Sequence, residues 1–415
     1  MNNEKDFKDL PEGWKWARLE EVILYEQPQK YIVLAENYED KSGIPVLTAG
    51  KTFILGFTNE NFGICNNLPV ILFDDFTTDS RFVNFPFKVK SSAAKLLRAR
   101  DKNINLFYIF NAMQLIKLKP GSEHKRFWIS EYSRLSIPLP PLPEQQKIAE
   151  ILETIDNAIE KTDKIIEKYK RIKQGLMQDL LTKGIDENGN IRNEKTHKFK
   201  DSPLGRIPEE WEVGYVSNFT EINPITKINP KELYPFIEMD ATPIMGKRYK
   251  YITLRRGIEA GSKFKKGDIL LARITPSAEN GKALLVPDNI EIGIGSTEFI
   301  VFRAKENIDN NFLFYLLISD YVRSIAIGLM EGTSGRQRIP KYVFEKVIKV
   351  AIPKSKSEQQ RIAEILSQID QTIEKEQQYK EKLQRIKQGL MEDLLTGKVR
   401  VNHLINEGEG YVSPA

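Results

Sequence analysis

One segment of this chain occurs twice. EQQKIAEILETIDNAIEKTDKIIEKYKRIKQGLMQDLLTKGI, from Glu144 to Ile185, returns without a gap as EQQRIAEILSQIDQTIEKEQQYKEKLQRIKQGLMEDLLTGKV, from Glu358 to Val399, with about 26 of 42 positions identical. A repeat this long, in the middle and at the end of 415 residues, divides the chain into two cycles of variable block then long helix. Two similar halves imply two similar surfaces, related by an approximate two-fold.

Within each copy the apolar residues step by three or four, as on one face of a helix: Ile148, Leu152, Ile155 and Ile159 in the first, Ile362, Leu366, Ile369 and Ile373 in the second. Ser357 followed by Gln360 predicts a capping box for the second helix. Pro143 suits a place at or just before the first turn of the first helix, and Gly184 and Gly397 stand where C-terminal stops belong. About 40 residues at 1.5 Å each make a rod of about 60 Å, too long for one small domain. Each rod needs a long partner, and the other copy is the obvious one. An antiparallel pair would place the variable blocks at opposite ends and a parallel pair would place them together; the antiparallel one is favoured, because a two-fold between head-to-tail cycles produces it. Gly175 and Gly389 fall at matching places in R-I-K-Q-G-L-M. They point either to close backbone approach between the rods or to common inheritance of a tolerated glycine.

The variable blocks share an order of elements. Each opens on a tryptophan-bearing segment, LPEGWKWARLEEVI at Leu10 and IPEEWEVGYVSNFTEI at Ile207. Short apolar runs bounded by Gly, Pro and Asn then read as strands: near Ile44, Leu68 and Arg81 in the first block, near Gly267, Lys282 and Ser296 in the second. A helix follows from Asn103 or Asn307, then a Gly-rich or basic loop, GSEHKRFWIS or GTSGRQRIP, then a final short strand leading into the rod. This order predicts two domains of one α/β design with divergent surfaces.

The bulk numbers narrow the class. Charged residues at 29% and hydrophobic residues at 40% suit a packed chain of two or more domains rather than a disordered one. A net charge of +5 permits a nucleic-acid partner without requiring one. The single cysteine, Cys65, and the scattered His124, His197 and His403 make a disulfide impossible within the chain and a zinc site unexpected. No apolar leader and no run of about eighteen apolar residues stands out, so a cytoplasmic chain with no membrane span is expected.

Searches for catalytic chemistry fail. AGKT at Ala49–Thr52 ends like a phosphate-binding loop, but Pro45 stands where the first glycine is required. NPIT at Asn223 lacks the second proline and the aromatic of the amino-methyltransferase motif. Asp74, Asp75 and Asp79 read as an exposed loop rather than a metal site, and no nucleophile has a base beside it. Donors to a duplex, in contrast, recur at corresponding places. Thr333, Ser334, Arg336, Gln337 and Arg338 lie in a loop whose Gly332 and Gly335 allow close approach, and arginine and glutamine suit guanine and adenine edges. Lys125 and Arg126 occupy the matching loop of the first block, with Lys51 as a further basic residue. Arg273, Thr275 and Ser277 follow a strand, as do Thr77, Thr78 and Arg81. Lys247 and Arg248 lead a basic cluster completed by Lys250, Arg255 and Arg256. These sixteen residues, from Lys51 to Arg338 and without the last three named, form the candidate DNA-binding set; no catalytic, metal or cofactor residue is proposed.

Taken together, the motifs resemble the specificity subunit of type I restriction-modification enzymes. The resemblance is carried by LPEGWKWARL and IPEEWEV, by PLPEQQKIAEIL and SEQQRIAEIL, by RIKQGLMQDLLT and RIKQGLMEDLLT, and by KDSPLGRIPEEW and KKGDILLAR. The one departure is SKSEQQ in place of PLPEQQ before the second rod. The resemblance implies an α/β fold: two similar target-recognition domains separated by an antiparallel pair of long conserved helices, with a pseudo-two-fold. The implied division is 1–142 and 207–356 for the recognition domains, 143–184 and 357–399 for the helices, 185–206 for a linker and 400–415 for a tail. Each domain would read one half of a split site in double-stranded DNA, with the helices setting the gap and docking two modification subunits. S-adenosylmethionine would sit in those subunits, ATP and Mg in the restriction subunits, and no cofactor in this one. Lengthening one rod by a turn, about 5.4 Å, should then widen the unread gap by one or two base pairs of about 3.4 Å. The alternatives are a coiled-coil adaptor with protein-binding α/β domains, whose binding would depend weakly on salt, and a solitary methyltransferase or nuclease, which the missing motifs oppose.

Overall fold

The computed structural model describes residues 10–35, 38, 42–50, 52–116, 127–333 and 335–406. It divides into two compact units, Met1–Asp163 with Tyr379–Ala415, and Lys164–Gln378.

In unit 1 the strands Ile23–Glu26, Ala94–Ala99, Val70–Asp74 and Ser80–Val83 lie side by side in that order, antiparallel throughout. Ile71, Phe73 and Leu97 turn to a core shared with Ile148, Leu152 and Leu394 of the long helices. Their neighbours Val70, Leu72 and Leu96 turn the other way, onto Leu47, Phe87 and Val89. Side chains alternate across a strand, and here both faces are buried. That is why VILF is a continuous apolar run rather than an alternating one. The second face is covered by a smaller sheet, in which Ile44–Leu47 pairs antiparallel with Ile54–Thr58 and parallel with Lys88–Val89.

Unit 2 repeats the plan. Thr220–Ile222, Phe299–Ala304, Ile269–Ala272 and Ala283–Leu285 form an antiparallel sheet in the corresponding order. Leu271, Ile300 and Phe302 pack with Leu180, Ile362 and Leu366; Leu270, Leu284 and Val301 pack with Ile237 and Phe264. The covering sheet again holds a parallel pair, Leu233–Ile237 with Ile292–Gly295, flanked by Thr253–Arg256 and by one strand more than in unit 1, Ser262–Lys265. The expected second-block helix is two, Asn310–Leu317 and Asp320–Gly328, because Ser319 stops one and caps the next.

The long helices run over Leu142–Leu180 and Lys356–Leu395, 39 and 40 residues. Ser355, not Ser357, caps the second: its Oγ accepts the Glu358 N–H at 3.4 Å, and Ser357 already lies inside the helix. Gly184 and Gly397 follow the helix ends at φ of +62° and +74°, the left-handed conformation that glycine adopts freely.

The unit boundary crosses both helices, and each unit contains an antiparallel stretch of the pair. In unit 1, Asp156 pairs with Lys387 and Asp163 with Lys380, each at 2.6 Å, so seven residues forward on one helix is seven back on the other. In unit 2, Lys173 pairs with Asp370 at 2.6 Å, and the Ile185 N–H donates to Glu358 Oε1 at 3.2 Å. Asp156 and Asp370 are one repeat position, Lys387 and Lys173 another. The same two repeat positions therefore pair in each unit, with the helices that supply them exchanged. Gly175 and Gly389 do not mark a close approach: both are exposed, and a Cβ at either would meet nothing within 4 Å.

Candidate nucleic-acid interface

Each variable block is fastened to the helices by the first residues of the repeat. The Trp14 indole N–H donates to Glu144 Oε2 at 3.0 Å, and Arg400 forks onto the same carboxylate at 2.7 and 2.9 Å. In unit 2 the Trp211 indole donates to Glu358 Oε1 at 3.3 Å, and Arg192 forks onto that carboxylate, one arm at 3.1 Å. Glu144 and Glu358 are 3% and 10% exposed, so these are buried charges satisfied on both oxygens. The next residue completes the joint. Gln145 Oε1 accepts the N–H of Asn105, whose own side chain caps the helix Leu106–Gln114. Gln359 Oε1 does the same for Asp309, which caps Asn310–Leu317. A Cβ on Gly184 would collide with Trp211, and one on Gly397 with Pro11. The W-E-Q-G pattern of the sequence is thus a single joint made twice.

On this scaffold the candidate contacts are presented by turns. In unit 1, Asp74 Oδ1 accepts the N–H groups of Phe76 and Thr77 at 2.9 and 3.0 Å and so builds the turn that follows its strand. Thr77 is exposed on that turn; Thr78 is half-buried at φ +62°. Arg81 lies within the strand Ser80–Val83 rather than after one, exposed, its guanidinium 5.9 Å from the Phe53 ring. Asp75 corrects the expectation of an exposed acidic loop. It is 1% exposed, and its Oδ1 accepts the Trp128 N–H at 2.9 Å while its carbonyl accepts the Phe127 N–H at 3.0 Å. Lys51, Lys125 and Arg126 lie outside the described residues.

In unit 2 two candidate segments are brought together. The Thr275 N–H donates to the Gln337 carbonyl at 3.0 Å and the Gln337 N–H to Thr275 Oγ1 at 3.1 Å, while Ile339 N–H donates to the Arg273 carbonyl at 2.7 Å. Glu331 and Arg338 exchange backbone hydrogen bonds at 2.9 and 2.8 Å, closing the loop between them. Thr333 and Arg336 are exposed on this loop, with Gly332 and Gly335 at φ +132° and +81°. Ser277 is half-buried in the facing turn, and Ser334 lies outside the described residues.

Four of the candidate cations are engaged within the protein. Arg273 and Arg338 converge on Glu298, and Arg248 pairs with Glu374 of the second long helix. Lys247 is the firmest correction. Its ammonium donates to Asn311 Oδ1 at 2.8 Å and Ser367 Oγ at 2.7 Å, and lies 4.6 Å from the centre of the Tyr315 ring. Burial pulls its pKa down to about 8, against the attraction of Asp370, with Lys173 adding to the depression. It braces the block against the second long helix and is not offered to a ligand. Arg255, from the same cluster, stacks on Phe236 at 3.6 Å. Glu298 carries no spacing signal in the sequence, and Asp75, read with Asp74 and Asp79 as an exposed loop, gives no local sign of its burial. Trp14 and Glu144 have one, the shared tryptophan and E-Q pair, whereas Arg400 and Arg192 do not fall at matching repeat positions.

Among the described residues no group of His, Cys, Asp or Glu is placed to hold a metal ion, and no helix is long and apolar enough to cross a membrane. A duplicated pair of α/β units, each presenting turns of polar donors from a joint on the long helices, defines a two-reader recognition protein. The chain belongs to the family described as Type I restriction modification DNA specificity domain, which matches residues 11–170 and 208–385. It is 30% identical over 377 residues to the specificity subunit of the type I restriction enzyme EcoR124I/EcoR124II of Escherichia coli, covering 86% of each chain. It is 28% identical to the MjaVIII specificity subunit of Methanocaldococcus jannaschii over 97% of each. Its fold is similar to the crystal structure of the type I restriction-modification S subunit from M. genitalium, with a TM-score of 0.58 at 14% identity over 94% of this chain and 97% of that one.

Proposed function

We propose that this chain is the DNA-recognition subunit of a type I restriction-modification complex, with each unit reading one half of a two-part duplex site. The observation that carries this is the duplication in three dimensions. One sheet order, one Trp–Glu–Arg joint and one exchanged Asp–Lys pair occur twice, while the exposed turns differ between the units. A scaffold held constant under variable loops suits two readers of different sequences. The antiparallel helices set the unread gap and offer faces for two modification subunits. The chain supplies no chemistry of its own in this reading. S-adenosylmethionine belongs to the modification subunits, ATP and Mg to the restriction subunits, and the complex works in the cytoplasm.

The test is an exchange. Replacing Asn223–Pro340 with the corresponding block of another family member, in the complete complex, should change one half of the methylated site and leave the other half unaltered. Genome-wide adenine-methylation mapping reads the result. A change in both halves, or in neither, would remove the idea of independent readers.

A further inference from the structure

Glu298 occupies the turn between the strands Ile292–Gly295 and Phe299–Ala304, with its N–H on Ser296 Oγ at 3.3 Å and its carbonyl accepting the Arg273 N–H at 3.0 Å. Its carboxylate receives Arg338 Nε at 3.0 and 3.1 Å, Arg338 Nη2 at 2.6 Å and Arg273 Nε at 3.2 Å. One side chain therefore ties together three segments that the sequence keeps apart: the turn after Ile269–Ala272, the 296–298 turn and the closing rung of the 331–338 loop. The chemistry fits a surface that meets a polyanion. A bare carboxylate there would repel phosphates, whereas one shared by two guanidiniums leaves a net positive site. Arg338 holds the carboxyl of Glu298 below the usual range, followed by Arg273, so the clamp stays charged at neutral pH. The two arginines are spent as struts. Beyond them the loop presents Thr333 and Arg336, and Arg336 has no ion-pair partner among the described residues.

We propose that Glu298 is a positioning residue for DNA reading by unit 2: it fixes the facing turns through Arg273 and Arg338 so that the exposed loop side chains meet the half-site pre-organised. This rests on the reading of the chain as a DNA-recognition subunit. Paired side chains with these exposures, 21% for Glu298 and 41% for Arg338, add little to global stability, so loss of the clamp should loosen the loops and not unfold the unit.

The experiment uses the complete methyltransferase complex carrying Glu298→Gln, Arg338→Gln or both, assayed on duplexes with single changes in either half-site. Glu298→Gln should lower discrimination in the half-site of unit 2 by about tenfold, within the usual range for one base pair, and leave the other half-site as in the wild type. Arg338→Gln should match it, and the double variant should be no worse than either, because all three remove the same clamp. Wild-type discrimination from Glu298→Gln would overturn the proposal. So would equal loss in both half-sites, or a far greater loss from Arg338→Gln, which would make Arg338 a direct contact. A wild-type complex that reads neither half-site would sink the functional reading itself, a result distinct from any of these.

Discussion

In unit 1 an indole N–H and a guanidinium meet on Glu144; in unit 2 the same two groups meet on Glu358. The loops that follow are clasped by different means. Unit 1 uses Asp75, whose buried carboxylate accepts the Trp128 N–H and whose carbonyl accepts the Phe127 N–H, and unit 2 uses Glu298 between two arginines. The contrast separates two demands on one design. The joint must orient a block on a helix, and a helix repeats, so the joint repeats. The clasp must hold loops that differ between the blocks, so each is built from what its own loops offer.

The joints give the hardest way to break this comparison. Replacing Glu144 with alanine leaves the Trp14 indole N–H without its acceptor and Arg400 with only the Glu12 carbonyl among the described residues; replacing Glu358 takes the acceptor from both Trp211 and Arg192. Breaking a buried pair by removing one partner typically costs about 3–5 kcal/mol. Both variants should fall in that range, with Glu358→Ala the costlier, because Glu358 also accepts the Ile185 N–H. Urea unfolding followed by tryptophan fluorescence measures both. A large cost at one site with almost none at the other would show that the joints are alike in geometry only.

A smaller effect separates the units by pH. Lys247 has its pKa lowered from 10.5 to about 8 by burial against Tyr315 and Ser367. Between these values the unfolded chain holds a proton that the folded one has released, so stability rises with pH from about 8 and levels off past about 10.5. Unit 1 carries Phe107 and Glu153 where unit 2 carries Asn311 and Ser367, and so lacks this pocket. Lys247→Met should therefore abolish an alkaline rise in the stability of unit 2, read by amide exchange of its central strands between pH 8 and 10. Persistence of the rise in the variant would assign it to another group.

What could be read from the sequence follows the range of the interactions. Helix periodicity and the glycine stops are local, and both long helices lie where the pattern places them. A duplication favours antiparallel pairing without excluding a parallel one, and the Asp156–Lys387 and Lys173–Asp370 pairs, one in each unit, have no signal in the sequence. The candidate site was legible only as a neighbourhood. Five basic residues between Lys247 and Arg256 look alike in a string of letters, yet one is buried on the second helix, one pairs with it and one stacks on an aromatic ring. Those fates depend on strand register and on helix faces more than a hundred residues away.

The smallest effect tests the other outcome of duplication, a shared feature with no internal purpose. Gly175 and Gly389 lie exposed in the last two turns of the two helices, each with open space where a Cβ would stand. Glycine there costs up to about 1 kcal/mol relative to alanine through the entropy of the unfolded backbone. Gly175→Ala and Gly389→Ala should each raise stability by that much or less, additively, because one lies in unit 2 and the other in unit 1. Calorimetry of the single and double variants checks the sum. A loss of stability at either position would mean that the helix backbone is approached there after all, and the two glycines would rejoin the joints as parts that the fold requires twice.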